Sequence, residues 1–417
     1  MTLPKAFTLP LLMLLATSSL STKAMGAAWV LLVVVGFWGA WRTRQTNTTD
    51  TAPWIKTWLI ACAIAMVLKT VPTLYWADPW AERQGEIRLL LGALAVWGLT
   101  RWRGLDALAI GRISHALTIS SALGLTWVLI YGRGQLCTNA IPWAVSMAMV
   151  SGWLLAISLR SDAPTPQRWF WLLGGLLALL AVLASQSRGA FGIVAWWGGT
   201  LVHHAWQNRH HTHSNRRLMM QTLVVTTALL AAIWALSVTP VLQRPAQSLR
   251  EAVREIAHSQ KSAAAGSNSS VGSRLYMWQR SHEAIAQSPW IGHGRDGRLH
   301  SLATWAIQGN STEVSRLGHL HNEYLNQLVD HGLWGLASQL SYIMGLLWMV
   351  KQLVQTRQKT AAQVIGCIAF MHTMSSMGNV NFAHNYYTTA LSMMVILTLW
   401  LAQPIAEKQK EPEGSLR

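Results

Sequence analysis

The sequence has few charged residues, and acidic residues are the scarcest of them. Charged residues make up 12% of the 417 positions and hydrophobic residues 51%, whereas soluble domains have about 25% charged residues. Asp and Glu total 16, against 33 Lys and Arg. Tryptophan is instead abundant, with 24 copies, and it concentrates where a bilayer meets water. This composition argues against a soluble globular protein and predicts a membrane protein.

Several sequence signals of metal and nucleophilic chemistry are also missing. The cysteines, Cys62, Cys137 and Cys367, are odd in number and lack metal-type spacing, which argues against a disulfide framework. The sequence has no Gly-x-Ser-x-Gly elbow, no Walker loop and no His-Glu-x-x-His pattern. It also has no Asp-x-Asp pair of the kind that holds a divalent ion on a diphosphate. We therefore expect no metal and no cofactor.

The net charge of +17 has a membrane explanation. A basic excess often indicates nucleic-acid binding. Here most basic residues lie in short loops between apolar segments, where they orient a chain in the bilayer. If the N-terminus is cytoplasmic, the basic loops fall inside and the outer connections hold few basic residues. We expect both termini in the cytoplasm, the long polar segment outside and no nucleic-acid partner.

Apolar runs of roughly membrane-spanning length recur along the chain. They lie at residues 6–21, 24–41, 54–71, 87–101, 113–131, 140–159, 168–186, 189–206, 218–238, 332–351, 360–378 and 385–403. The first could instead be a cleaved signal peptide. The pattern predicts an all-α polytopic membrane protein with about twelve transmembrane helices and one large periplasmic loop. The predicted divisions are nine transmembrane helices, the periplasmic loop, three transmembrane helices and a cytoplasmic tail, at residues 1–238, 239–331, 332–403 and 404–417.

The polar segment at residues 239–331, which we call the lid, cannot lie in lipid and is too poor in apolar runs to be a convincing independent domain. Within it we expect helices at 245–258 and 274–287, the second ending at Ser288-Pro289, with a mobile loop at 261–273. A further helix is expected from His319. A polar lid on a membrane bundle, with a histidine near its hinge, is typical of an active site at a membrane surface.

Basic residues on the predicted outer face are few. Arg188 lies in a tight turn between two apolar runs, Arg274 opens a helix, and Arg133 and Lys69 give weaker signals. Arginine at membrane depth is costly unless it meets an anion or a partner, although snorkelling to lipid phosphates is an alternative for Arg188 and the favoured one for Lys69. Two or three arginines around one pocket could bind a diphosphate and stabilise it as a leaving group without metal.

His321 is the best candidate for proton transfer, because a neutral imidazole can accept a hydroxyl proton near neutral pH. A structural role at the start of a helix remains the alternative, as it does for His319 and His293. The pattern His319-x-His321-x-Glu323 could suggest a metal site. A spacing of two does not align side chains on one face of a helix, which disfavours that interpretation.

Three local patterns in this order resemble the O-antigen ligase and O-antigen polymerase superfamily of membrane proteins. They are Ser187-Arg188-Gly189; Gly272-Ser273-Arg274 with Trp278 and Pro289-Trp290-Ile291-Gly292-His293-Gly294; and His321-Asn322-Glu323-Tyr324-Leu325 followed by Gly332-Leu333-Trp334-Gly335. The resemblance extends to the twelve predicted spans and the late periplasmic loop.

The resemblance implies a C-type, metal-independent, inverting glycosyltransferase fold in the bacterial inner membrane. Ligases of this kind move an O-antigen glycan from undecaprenyl diphosphate to lipid A–core oligosaccharide. Carried over by motif, Arg188 and Arg274 would bind the diphosphate and His321 would activate the acceptor hydroxyl. Arg133 and Lys69 match no motif and are auxiliary candidates for the diphosphate.

Alternatives remain open within and beyond this class. An O-antigen polymerase or a protein O-oligosaccharyltransferase would use the same donor with another acceptor. A secondary transporter or flippase for lipid-linked glycan is the alternative from a different class. Transporters place their functional polar groups near the bilayer midplane and often show repeat symmetry, whereas the candidates here cluster at the outer face.

Overall fold

The computed structural model describes residues 5–42, 51–99, 107–160, 162–207 and 271–402. Within these ranges the chain is helical, with short 3-10 turns between helices and no strand. The predicted span at 218–238 and the predicted helix at 245–258 lie outside the described residues, as do most of the predicted loop at 261–273 and all of the predicted tail.

Eight α-helices precede the lid in the described ranges. They are α1 Lys5–Thr17, α2 Thr22–Arg42, α3 Pro53–Tyr75, α4 Gln84–Leu99, α5 Ala107–Tyr131, α6 Ala140–Ser158, α7 Thr165–Ala184 and α8 Gly192–Gln207. Each coincides closely with a predicted apolar run. Prolines lie in the first turn of α3 and of α7, where a missing backbone N–H costs no helical hydrogen bond.

Five further α-helices follow. They are α9 Gly272–Gln287, α10 Gly294–Gln308, α11 Glu323–Gln355, α12 Lys359–Ser376 and α13 Asn385–Leu401. The predicted helix at 274–287 is confirmed by α9. The helix expected from His319 begins instead at Glu323, because the Asn322 side chain caps it by accepting from the Leu325 N–H at 3.1 Å.

Six of the described helices are long and apolar enough to cross a membrane. They lie at Thr22–Trp41, Pro53–Tyr75, Ala109–Tyr131, Ala140–Ser158, Thr165–Ala184 and Glu323–Gln355. This agrees with a polytopic all-α membrane protein. The count of about twelve spans and the domain divisions stay predictions.

Helix α6 lies at the centre of the bundle. Ile141 is its only residue that is not buried, as expected of a helix that is apolar on all sides. It packs against α7, α12 and α13. Small residues allow the close approaches between helices: a Cβ on Gly345 of α11 would lie 2.5 Å from the Ala61 Cβ of α3. One continuous apolar core therefore joins the helices before and after the lid.

The lid has a second, smaller core that is separate from that of the bundle. Tyr276 and Met277 of α9 are buried there with Leu302 and Trp305 of α10. Leu320, just before α11, belongs to the same cluster. Both α9 and α10 also contact α11. The described part of the lid is thus fastened to the bundle through α11.

Helix α11 is broken at Gly332, which has φ 57° and ψ −147°. The turn that precedes α10 occupies the break. The Leu333 N–H donates to the Pro289 carbonyl at 2.8 Å, and the His293 N–H donates to the Val329 carbonyl at 2.8 Å. A Cβ on Gly332 would lie 2.4 Å from the backbone carbonyl of Trp290. Only glycine fits this position, because both its conformation and its space exclude a side chain.

Substitution Gly332→Ala should lower the free energy of unfolding by about 2–4 kcal/mol, since it combines a forbidden backbone conformation with a backbone clash. Thermal unfolding of the purified protein in detergent measures this effect. The matched control is Gly378→Ala, where a new Cβ meets nothing within 4 Å. Equal unfolding temperatures for the two variants would contradict the close packing of the turn before α10 against Gly332.

Candidate active site

The segment His319-Leu320-His321 is held from two sides. The Trp278 indole N–H donates to the Leu320 carbonyl at 2.8 Å. The Leu320 N–H donates to the Asn326 side-chain oxygen at 3.2 Å. Trp278 lies one turn beyond Arg274 on α9, so the same helix that supplies the arginine also fixes the histidine segment.

A buried ion pair supports the hydrogen bonds that hold the segment His319-Leu320-His321. The Asn326 amide donates to one oxygen of Asp330 at 2.9 Å, and Arg298 Nε donates to the other at 2.7 Å. Arg298 also donates to the Gly318 carbonyl, immediately before His319. The Arg298 and Asp330 side chains are 7% and 3% exposed. Because neither charge is well solvated, each depends on the other.

His321 has a strained backbone and a ring nitrogen without a partner. Its φ is +51°, a left-handed conformation that histidine tolerates better than bulkier residues do. Its Nδ1 is buried and has no hydrogen-bond partner in the described part of the chain. The His319 ring packs against it with centroids 4.3 Å apart. Backbone strain and an unsatisfied buried nitrogen together favour a functional role over a cap.

Burial and positive neighbours hold the His321 ring neutral. They lower its pKa to about 3, with burial the larger cause, followed by the charges of His319, Arg274 and His384. Burial, followed by His384, Arg298 and Arg274, lowers the pKa of His319 to about 4. Both rings are therefore neutral at physiological pH and able to accept a proton.

Arg274 and Arg188 lie within range of each other's charge. Burial lowers the pKa of Arg274, and the positive charge of Arg188 lowers it further. Arg188 is exposed, in the 3-10 turn Arg188–Ala190 between α7 and α8. Across the described ranges neither guanidinium has a carboxylate within 4.0 Å. Two like charges without a counter-ion form a site that favours an anion.

Arg188 thus lies close enough to Arg274 to lower its pKa, and Arg274 lies close enough to His321 to lower the pKa of that ring. The sequence did not single out His384, whose protonation would lower the pKa of both His319 and His321. Its ring lies 6.4 Å from that of His319, and its Nε2 is buried without a partner among the described residues. One sequence signal could have pointed to His384. It lies in the connection between the last two apolar runs, which is on the predicted outer side.

Lys69 and Arg133 are not among the groups that shift the pKa of Arg274 or of His321. Lys69 is 3% exposed, so the expectation that it snorkels to the lipid surface is wrong. Its ammonium donates to the Gln327 side-chain oxygen at 2.8 Å and lies 3.0 Å from His331 Nδ1. Arg133 is exposed in the 3-10 turn Arg133–Gln135. A part for either residue in diphosphate binding stays a prediction.

His293, the third histidine considered, has a structural position. Its Nε2 lies 2.8 Å from the Ala284 carbonyl, to which it donates. Its backbone N–H is bonded to Val329. This histidine connects α9, the turn before α10 and α11, and its ring is engaged in holding them together.

Residues 173–340 match the sequence model of a protein family described as O-antigen ligase. The chain carries a domain of the O-antigen ligase/polymerase superfamily. The matched range contains Arg188, Arg274 and His321. The superfamily acts on lipid-linked glycans, which agrees with an anion site beside a membrane bundle.

An uncharacterized protein of Haemophilus influenzae is 28% identical to this chain over 130 residues. The alignment covers 30% of this chain and 30% of that protein. The chain thus aligns with less than a third of this relative's length, and the relative carries no description of function.

Substitution Arg298→Met should destabilise the protein by about 3–5 kcal/mol, because it leaves the Asp330 carboxylate buried without its cation. The control is Arg295→Met on the same helix. Arg295 pairs with Glu82 at 3.2 Å, but the two side chains are 38% and 30% exposed, so its loss should cost at most about 1 kcal/mol. Thermal unfolding compares the two variants. A smaller loss of stability for Arg298→Met than for Arg295→Met would contradict the conclusion that Asp330 depends on Arg298 as its buried partner.

Proposed function

We propose that the protein is an O-antigen ligase. It transfers a polysaccharide from undecaprenyl diphosphate to lipid A–core oligosaccharide at the periplasmic face of the bacterial inner membrane. The supporting observation is that Arg274 is near enough to both Arg188 and His321 to interact with their charges, so that a pair of arginines without a carboxylate partner in the described ranges and a neutral histidine are neighbours.

The arginine pair binds the diphosphate of the donor. A guanidinium presents a planar set of donors that matches phosphate oxygens, and it keeps its charge at any working pH. As the bond between the anomeric carbon and the diphosphate oxygen breaks, negative charge grows on that oxygen. Fixed positive charges already aimed at it stabilise the transition state without reorganising.

His321 removes the proton from the attacking hydroxyl of the acceptor sugar. The hydroxyl oxygen attacks the anomeric carbon from the face opposite the diphosphate, so the configuration inverts. The products are the glycan joined to its acceptor, undecaprenyl diphosphate and a proton on His321. The proton then passes to water.

Donor binding should strengthen this base. Without donor, burial and positive neighbours hold the pKa of His321 at about 3, which makes it a weak proton acceptor. A bound diphosphate brings negative charge beside Arg274, offsets part of that positive field and raises the pKa of His321 toward its ordinary value. The site is therefore activated as a base when the leaving group is in place.

Substitution His321→Ala should reduce transfer by about 10²–10⁴-fold while donor binding persists, because the base is lost and the arginines remain. The measurement is transfer of glycan from purified donor to purified acceptor by the protein in detergent. The control is His282→Ala, an exposed histidine on α9, which should retain wild-type transfer.

Full transfer by the His321 variant would refute its role as the base. Transfer to a second lipid-linked glycan, but not to lipid A–core, would identify a polymerase instead. Transfer to a protein hydroxyl would identify the oligosaccharyltransferase alternative. Transfer in detergent, where no gradient exists, would also separate an enzyme from a transporter.

The pH dependence of transfer tests the coupling between donor and base. A base acts only above its pKa, so activity is lost as the pH falls through that value. The profile of kcat/KM for donor reports the free enzyme, and that of kcat reports the complex. With a pKa of about 3 in the free protein, kcat/KM should show no acid decline near pH 6.5, and the decline in kcat should lie at higher pH. Coincident declines, or a decline in kcat/KM near pH 6.5, would contradict the coupling.

A further inference from the structure

A polar cavity of about 360 Å³ lies beside the candidate active site. It is bounded by the outer ends of α3, α4 and α11, by α10 and by the segment before α13. This volume is within the range of about 300–1,000 Å³ that is usual for small-ligand sites. His319 is on its wall, and the His319 ring is in contact with His321. A ligand in the cavity would therefore lie next to the proposed base.

The cavity carries more carboxylates than cations. Its acidic residues are Glu82, Glu86, Glu323 and Asp330, and its basic residues are Lys69, Arg295 and Arg298. An additional anion is disfavoured in such a site. The arginine pair formed by Arg188 and Arg274 is not on this cavity's wall, so the phosphate-binding surface and the acidic cavity are distinct neighbours.

Three of the four carboxylates are already engaged. Asp330 pairs with Arg298 at 2.7 Å and Glu82 pairs with Arg295 at 3.2 Å. The two oxygens of Glu323 accept from the Gln327 amide at 2.9 Å and from the Phe382 backbone N–H at 3.0 Å. These groups have their partners within the protein and need none from a ligand.

Glu86, in the first turn of α4, differs from them. Its residue is 3% exposed. Apart from its own backbone N–H, no other group in the described part of the chain donates a hydrogen bond to its carboxylate or forms an ion pair with it. A carboxylate accepts about four hydrogen bonds, and a buried one is costly when they are unmade. Glu86 therefore has free acceptor capacity facing the cavity.

We propose that this cavity binds a neutral saccharide of the acceptor and that Glu86 accepts a hydrogen bond from one of its hydroxyls. The inference rests on the proposed transfer function and adds the place of the acceptor to it. A sugar hydroxyl is a neutral donor, which suits a free carboxylate in a site that disfavours anions. A second hydroxyl of the same sugar reaches past His319 to His321, where it loses its proton and attacks the donor.

The test compares Glu86→Gln with wild type in the detergent transfer assay. The Gln side chain keeps the size but weakens the charge-assisted hydrogen bond, so the acceptor KM should rise about tenfold. Donor KM should stay unchanged, and kcat should stay within about twofold, because neither the arginines nor His321 is altered. The control is Glu283→Gln, whose carboxylate on α9 is 63% exposed and lies outside the cavity.

Two inhibitors separate the cavity from the anion site. The acceptor oligosaccharide freed of its acyl chains should compete with acceptor, and about tenfold less effectively in Glu86→Gln. Inorganic pyrophosphate should inhibit both proteins equally, because it binds the arginine pair. Thermal unfolding and gel filtration confirm that each variant is folded, and Glu86→Asp replaces Glu86→Gln if the latter is not.

An acceptor KM in the Glu86 variant equal to that of wild type would overturn the inference while leaving the ligase proposal intact. If wild type transfers to no acceptor, the proposed function fails, and direct binding decides the inference. Saturation-transfer NMR with the acyl-free oligosaccharide should then show binding to wild type and weaker binding to the Glu86 variant. Absence of binding to wild type would overturn it.

Discussion

The ion pair between Arg298 and Asp330 fixes α10 of the lid against α11, and the position of His321 depends on it. Asp330 lies in the first part of α11, just before the Gly332 break after which the helix continues into the bundle. Through Asn326 and Gly318 the pair fixes the backbone on both sides of His319. A buried pair of this kind contributes little net stability compared with apolar packing, but breaking it leaves a charge stranded. It therefore makes one relative position of lid and bundle much more favourable than others.

Around that fixed position the electrostatics divide into two regions. Arg188 and Arg274 present positive charge without a counter-ion among the described residues, and Arg274 lowers the pKa of the nearby His319 and His321 rings. The adjoining cavity has an excess of carboxylates and one of them, Glu86, has spare acceptor capacity. In the proposed function, the donor diphosphate binds in the first region and an uncharged acceptor sugar binds in the second. His319 and His321 lie at the boundary, where a proton must move from one substrate toward the base.

The helices and the residues with the strongest charge signals could be predicted from sequence, because apolar runs and a Ser-Pro stop are local features. Helix α10 was missed, since it is polar and lacks an apolar run. The start of α11 was placed four residues early, because His321 takes a left-handed conformation before the Asn322 cap. Lys69 was misjudged because its partners, Gln327 and His331, are more than 250 positions away. The convergence of Arg188, Arg274 and His321 likewise depends on tertiary packing, although charge and a family resemblance pointed to each residue.

The central claim is that the arginine pair holds the donor diphosphate next to a neutral His321. The most direct test is an electron cryo-microscopy structure of the protein with an undecaprenyl-diphosphate-linked glycan bound. The account predicts phosphate oxygens within about 3 Å of the guanidinium groups of both Arg188 and Arg274, with the anomeric carbon on the side of His321. A diphosphate bound at Lys69 or Arg133, with no contact to Arg188 and Arg274, would contradict it.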